Sequence, residues 1–283
     1  DGSVLVTYSA DSHTLYGALT SSPAADWPKG SMRSIVEWDT NKPLGEIEQV
    51  EHTYAVIGNM NEHQLTVVES TWGGRPELVD TTGIIDYGSL MQLALERAKT
   101  AREAIKVMTG LVKKYGYYSS GESFTIADPN EAWILDLIGK GPGRRGAVWV
   151  AVRIPDDCIA GHANYPRIHK IPMDDKENCL YSPDVISFAR EMGYFDGLNK
   201  DFSFARAYSP ADFGALRACD ARVWSFFRKY DSSMDNYLPY VNGESAEPFP
   251  LYVKPSRKLS VQDMKEAMRD HFEDTPFDMT QDV

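Results

Sequence analysis

The residues able to do chemistry gather where apolar strands run out. Tyr54-Ala55-Val56-Ile57 and Leu65-Thr66-Val67-Val68 read as two short strands around a Gly- and Asn-rich turn, Gly58 to Gln64. The second runs into Glu69-Ser70-Thr71-Trp72-Gly73-Gly74. A carboxylate and two hydroxyls at the end of a buried strand either line a pocket or mark where the strand reaches solvent. Asp11-Ser12-His13 closes an earlier strand, Val4 to Tyr8, with polar groups that would equally suit an Asx turn. His52 and His63 flank the first hairpin and could face each other, as a hydrogen-bonded pair rather than a metal site. Asp270, Glu273, Asp274 and Asp278 have the chemistry of cation ligands and also of a solvated helix end. Cys158, Cys179 and Cys219 are widely spaced and in no ligand pattern, so each reads as a free, buried thiol. There is no His-Glu-x-x-His and no Gly-x-Ser-x-Gly elbow. The glycine-rich stretch Gly139 to Gly146 lacks the Lys-Ser/Thr ending of a phosphate loop and reads as a connector. Spacing alone names no nucleophile with its base.

The elements that must position these groups are clear in outline. Both strands of the first hairpin are apolar on most positions, which predicts a sheet covered on both faces. Two helices follow, Ser89 to Ala98 and a second that starts at the cap Thr100 with Glu103. The second buries Ala104, Ile105, Met108, Leu111 and Val112 and stops at Gly116. The period then changes to two: Ser123 to Ala127, a turn at Asp128 to Glu131, Ala132 to Ile138, and a further strand, Ala147 to Ile154. Ser182-Pro183 should open a helix that ends at Gly193, and Ser209-Pro210 one that runs to about Tyr230. Ser260 should cap Val261 to Phe272. Asp1-Gly2 is a turn dipeptide with no strand before it, so residues are expected ahead of Asp1. The chain reads as a single domain, 1–283, incomplete at both ends.

Composition narrows the function. The chain is 42% hydrophobic over 283 residues, enough for a sizeable core. Its net charge of −12 argues against non-specific nucleic-acid binding. No apolar run approaches the roughly 18 residues of a membrane span. Strands in two blocks, with helices between and after them, suggest two sheets with helical layers outside.

Several stretches together resemble the dipeptidase A family of cysteine peptidases. They are Asp1-Gly2-Ser3-Val4-Leu5-Val6 with Asp11, Gly58-Asn59-Met60-Asn61-Glu62-His63-Gln64-Leu65 with Glu69, Gly161-His162-Ala163-Asn164, and Ala221-Arg222-Val223-Trp224. Lys254-Pro255, Lys258 to Asp263 and Arg269 to Glu273 fit as well. The resemblance covers nearly the whole chain. It implies an N-terminal-nucleophile hydrolase, related to choloylglycine hydrolases and penicillin V acylases. The implied fold class is α+β, a four-layer α/β/β/α sandwich of two stacked, mainly antiparallel sheets.

The implied nucleophile is a cysteine at the mature N-terminus, before Asp1. Its own α-amine, with an unperturbed pKa of about 7.7–8.0, serves as the base. An internal cysteine has no free α-amine, so none of the three present could substitute, and the 1–283 chain alone should be inactive. Three catalytic positions carry over: Asp11 to orient the amine, Asn164 to stabilise the oxyanion, and Arg222 beside the site. Tyr8 stands where the family often has arginine. Glu69 and Thr71 carry over as substrate-binding positions, Thr71 aligning with a second oxyanion donor of the related acylases. Asp11 and Arg222, both beside apolar residues, are expected in mutual contact or on one shared partner.

The resulting expectation is a bacterial dipeptidase that needs no metal and no cofactor, takes small peptides, and has no nucleic-acid or membrane partner. It leaves a homo-oligomer open, and places the protein in the cytoplasm, the periplasm or outside the cell. Two rivals stand beside it: an amidase of the same fold acting on bile salts or acyl-amino acids, and a non-catalytic ligand-binding module.

Overall fold

The computed structural model describes residues 2–11 and 17–281. Asp1 of the expected turn, Ser12 and His13, and the last two residues lie outside them. The first third of the described chain carries mostly short strands: β1 (Ser21–Ser22), β2 (Ala25–Asp26), β3 (Met32–Val36), β4 (Pro43–Glu48), β5 (His52–Thr53), β6 (Val56–Ile57) and β7 (Met60–Asn61). Then come β8 (Thr66–Trp72), α1 (Tyr87–Arg97), α2 (Ala101–Tyr115), β9 (Gly121–Ala127), β10 (Ala132–Gly139) and β11 (Ala147–Ile154). The remainder holds β12 (Ile159–Ala160), β13 (Cys179–Tyr181), α3 (Val185–Glu191), α4 (Phe204–Tyr208), α5 (Ala221–Arg228), α6 (Leu238–Val241), β14 (Tyr252–Val253) and α7 (Val261–Ala267).

The fold is α+β. Among the described residues the large sheet has eight antiparallel strands in the order β1-β6-β7-β8-β9-β10-β11-β13. The two strand blocks therefore meet edge to edge, β8 pairing with β9 from Thr66↔Ala127 to Trp72↔Gly121. Three two-stranded pieces, β2-β5, β3-β4 and β12-β14, lie apart from it. One face of the sheet, with Val67, Phe124, Trp133 and Leu135, packs on α1 and α2 through Leu93, Ala94, Ile105 and Met108. The other face, with Trp72, Ile134, Val150 and Val152, packs on Val185, Phe188, Phe204 and Tyr208 of α3 and α4. A large antiparallel sheet with helices against its faces is compatible with a layered sandwich.

Local chemistry explains most of these elements. The Asp86 carboxylate accepts the Ser89 N–H at 3.1 Å, so α1 begins two residues ahead of the expected start. The Thr100 side chain caps α2, whose five expected apolar positions are all buried. Gly121 lies under the Trp72 indole, where a Cβ would stand 2.2 Å from the ring.

Five expectations are corrected. Val4 to Tyr8 is in no ladder, because no described strand pairs with it; Val4, Val6 and Tyr8 are half-buried while Leu5 and Thr7 are exposed. The Ser182 hydroxyl accepts the Trp149 N–H at 3.2 Å instead of capping, and α3 starts at Val185. The segment Ser209–Tyr230 is not one α-helix: a π-helical stretch, Ala215–Asp220, precedes α5. α7 stops at Ala267, well before Phe272, whose φ of 62° is left-handed. His52 and His63 do not pair; Tyr54 stands between them, edge-on to both rings.

Candidate active site

A groove of about 1560 Å³ runs across the end of β8. Asp11, Glu69, Thr71, Asn164 and Arg222 all line it. Alternation along β8 sends Glu69 and Thr71 to the face covered by α1 and α2, and Ser70 to the opposite face.

Behind Ser70, His162 spans two hydroxyls, with Nδ1 2.6 Å from Ser70 Oγ and Nε2 2.9 Å from Thr125 Oγ1. Burial and then the Arg167 charge push this imidazole down to about 4, so it is neutral near pH 7 and offers one donor and one acceptor. Ser70 Oγ also accepts the Asn164 N–H at 3.2 Å. Asn164 has a φ of 53°, a left-handed conformation that asparagine tolerates better than most residues. Its Nδ2 donates to the Thr71 carbonyl at 2.6 Å, and its Oδ1 accepts from Arg222 Nη2 at 2.8 Å. These two partners assign the orientation of the amide.

Arg222 sits one residue into α5, immediately after the π-helical stretch. Its Nε donates to the Ala218 carbonyl at 2.9 Å, which turns the guanidinium toward Asn164 and the Ala163 carbonyl. The expected contact with Asp11 is absent: among the described residues no ion pair joins Asp11 to Arg222. Asp11 is exposed on the groove and accepts the Ser9 hydroxyl at 3.3 Å.

Glu69 accepts the Tyr8 hydroxyl at 2.6 Å. The Thr71 hydroxyl donates to Glu122 Oε1 at 2.6 Å, so its proton is directed away from Asn164. Sequence reasoning missed Glu122, which is fully buried, and the bridging role of His162. The signal for Glu122 was a carboxylate on the strand face that also carries Phe124 and Ile126. Cys158 also lines the groove, but burial pushes its thiol up, the opposite of what an attacking thiolate needs. The acidic run near the C-terminal end is partly neutralised, Lys229 reaching Asp270 at 2.8 Å and Glu273 at 3.5 Å.

The family model for peptidase family C69 matches residues 2–283. The chain belongs to peptidase family C69. Curated relatives carry dipeptidase names. The chain is 29% identical over 261 residues to a probable dipeptidase of Salmonella dublin, covering 89% of this chain and 55% of the relative. It is 26% identical to a dipeptidase of Bifidobacterium longum, with 92% and 48% covered. It is also 26% identical to dipeptidase A of Lactobacillus helveticus, with 73% and 40% covered. The chain thus spans about half the length of the curated relatives it matches. These matches agree with the resemblance read from the sequence motifs. Among the described residues no helix is long and apolar enough to cross a membrane.

Proposed function

We propose that this C69 chain forms the substrate groove of a dipeptidase. The peptide bond is attacked by an N-terminal cysteine thiolate, which the resemblance supplies from outside these residues. What supports the reading is one continuous path along the groove. Arg222 holds Asn164, Asn164 holds the Thr71 carbonyl, the Thr71 hydroxyl holds Glu122, and Glu122 is the diagonal neighbour of Glu69, which Tyr8 binds. The path has a cation at one end and a carboxylate at the other. Glu69 and Thr71 are two residues apart on one face, roughly 7 Å along the strand. That is about the length of an extended dipeptide. In this reading a zwitterionic dipeptide sets its ammonium group by Glu69 and its carboxylate toward Arg222, both on the groove wall, with the scissile carbonyl near Asn164.

In this mechanism the thiolate adds to the carbonyl carbon and the oxygen takes the charge. The Asn164 amide uses one N–H on Thr71 and has the second for the oxyanion, where donors fixed before reaction are worth most. The C–N bond breaks, the leaving amine takes the proton held by the cysteine's α-amine, and water then hydrolyses the thioester. Asp11, exposed on the groove, is the carboxylate assigned to orient that α-amine.

The test is hydrolysis by the mature full-length protein of free dipeptides, N-acetyl dipeptides and acyl-amino acids. Release of amino acids from free dipeptides alone is expected. Preference for acyl-amino acids would make the protein an amidase, and no hydrolysis of either class would remove the enzyme reading.

A further inference from the structure

Glu122 stands opposite Thr71 on β9 with no exposed surface. Its Oε1 accepts the Thr71 hydroxyl at 2.6 Å. Its Oε2 is buried and receives no hydrogen bond from a donor group. Glu69, half-buried and open to the groove, precedes Thr71 by two residues on the same face of β8 and is thus the diagonal neighbour of Glu122 across the ladder. Tyr8, Tyr87 and Tyr117 feel the charge of these carboxyls, and Asp39 adds to the negative field on Glu122. Tyr8 donates to Glu69, and Tyr87 donates to Asp39 at 2.8 Å.

Two ionised carboxylates are acceptors only and cannot bond to each other. Two carboxyls that are diagonal neighbours on one face of a ladder oppose each other's ionisation, and one shared proton relieves the opposition. The buried member is the one that keeps the proton, since desolvation penalises its charged form most. Burial, and then the Glu69 charge, indeed hold the Glu122 carboxyl well above the usual carboxylate range.

We infer that Glu69 and Glu122 form a carboxyl pair sharing one proton, that Glu69 takes the substrate's α-ammonium group, and that Glu122 is the positioning residue behind it. The inference rests on the dipeptidase reading and adds a specificity device to it. Glu122, protonated, donates its O–H to Glu69 through Oε2 and accepts from Thr71 through Oε1, which uses both of its oxygens. Glu69 is then fixed from two sides, by Glu122 and by Tyr8, and carries one negative charge toward the groove. A free ammonium group offers three donors and a compensating charge to that site. An acylated amine offers one N–H and no charge, so it gains far less.

Variants of the full-length protein separate this role from a merely structural one. Glu122→Leu removes the donor to Glu69 and leaves the Thr71 hydroxyl unpaired. KM for free dipeptides should then rise about tenfold or more, the worth of one hydrogen bond to a charged group, with kcat within about threefold. Glu122→Gln keeps the shape of a protonated carboxyl, its Oε1 accepting from Thr71 and its Nε2 donating to Glu69. It should recover most of the loss. Binding of a non-hydrolysable reduced-bond dipeptide, followed by calorimetry, should show the same order, while its N-acetyl form should bind weakly to all three proteins. If Glu122→Gln weakens binding as much as Glu122→Leu, both carboxyls carry charge and the shared proton is wrong. If Glu122→Leu leaves KM and calorimetric affinity as in the wild type while dipeptides are still cleaved, the inference falls and the dipeptidase reading stands. If the wild-type protein cleaves and binds no dipeptide, both fall.

Discussion

Two buried polar clusters occupy opposite faces of the same sheet, and they are built differently. On the α3/α4 face, Asp136 accepts the Ser123 hydroxyl at 2.5 Å and the Arg167 and Ile168 N–H groups at 2.9 and 2.8 Å. Next to it Arg167 holds Asp220 with two 2.9 Å bonds, and Tyr240 donates to Asp220 at 3.0 Å. Each carboxylate there has a cation or several donors. On the α1/α2 face, Glu69 takes one hydroxyl donor, Tyr8, and Glu122 takes one, Thr71, and among the described residues no ion pair reaches either. A buried network whose carboxylates are paired rigidifies a fold, even with Arg167 Nε left without a partner. A cluster left short of positive charge, and open to a groove on one side, is arranged to receive it. The contrast sets a structural cluster against the one we propose for substrate binding.

The sharpest test on the structural side is Arg167→Ala. Both members of the Arg167–Asp220 pair are fully buried, and the guanidinium also lies 3.9 Å from the centre of the Phe249 ring. Removing it strands a buried carboxylate, so unfolding free energy should drop by about 3–5 kcal/mol in denaturant titration. Replacing both members by apolar residues, Arg167→Met with Asp220→Leu, should cost much less. A loss below about 1 kcal/mol for the single variant would erase the distinction between the two faces.

On the groove side the largest effect belongs to Asn164. Asn164→Ala should lower kcat by about 10²–10³ in protein shown to be folded, with a modest drop in denaturation midpoint because alanine is strained at a φ of 53°. An unaltered kcat would leave Asn164 as a cap on the Thr71 carbonyl and nothing more.

The framework was readable from the sequence because it rests on local periodicity. Ala104, Ile105, Met108, Leu111 and Val112 fall on one helical face wherever the helix goes, and the alternation in 121–139 marks a hairpin by itself. The strand Pro43–Glu48 was not readable: proline and glycine dilute its pattern, and it pairs only with β3. The site was legible as a set of positions and not as a set of contacts. Arg222 and Asn164 meet across 58 residues of chain, and Glu122 and Thr71 across 51. Strand periodicity tells which face Glu122 takes, but only the tertiary fold brings Glu69 and Tyr8 to that face. The same limit explains the misplaced pairing of Asp11 with Arg222, where two charges without visible partners were matched to each other.

A pH titration sharpens the comparison on the structural face. Burial outweighs the hydrogen bonds from Ser123, Ile168 and Arg167 and raises Asp136 from 3.8 to about 6 in the folded protein. A raised folded pKa means that the folded state binds the proton more tightly. The associated stability is therefore fully present below about pH 4 and is lost as pH rises through about 6, a change of about 3 kcal/mol. Asp136→Asn resembles the protonated acid, its Oδ1 accepting the two N–H groups and its Nδ2 donating to Ser123. The variant should flatten stability between pH 4 and 6, measured by denaturation at each pH. A wild-type profile already flat in that window would mean the donors around Asp136 fully offset its burial.

The smallest effect distinguishes two roles for one hydroxyl. The resemblance aligns Thr71 with an oxyanion donor, whereas its hydroxyl points to Glu122 and its carbonyl to Asn164. Thr71→Val removes the hydroxyl and keeps both the shape and the carbonyl. Glu122 then loses one neutral hydrogen bond, worth about 1 kcal/mol, and KM for free dipeptides should rise about fivefold. Because the carbonyl still holds the Asn164 amide, kcat should stay within about twofold. Thr71→Ser keeps the donor and should restore KM. A fall in kcat with KM unchanged would assign the hydroxyl to the oxyanion after all. The Thr71–Glu122 bond would then be a resting contact that the substrate displaces, and the charge-poor cluster would reach the reacting carbonyl and not the ammonium end alone.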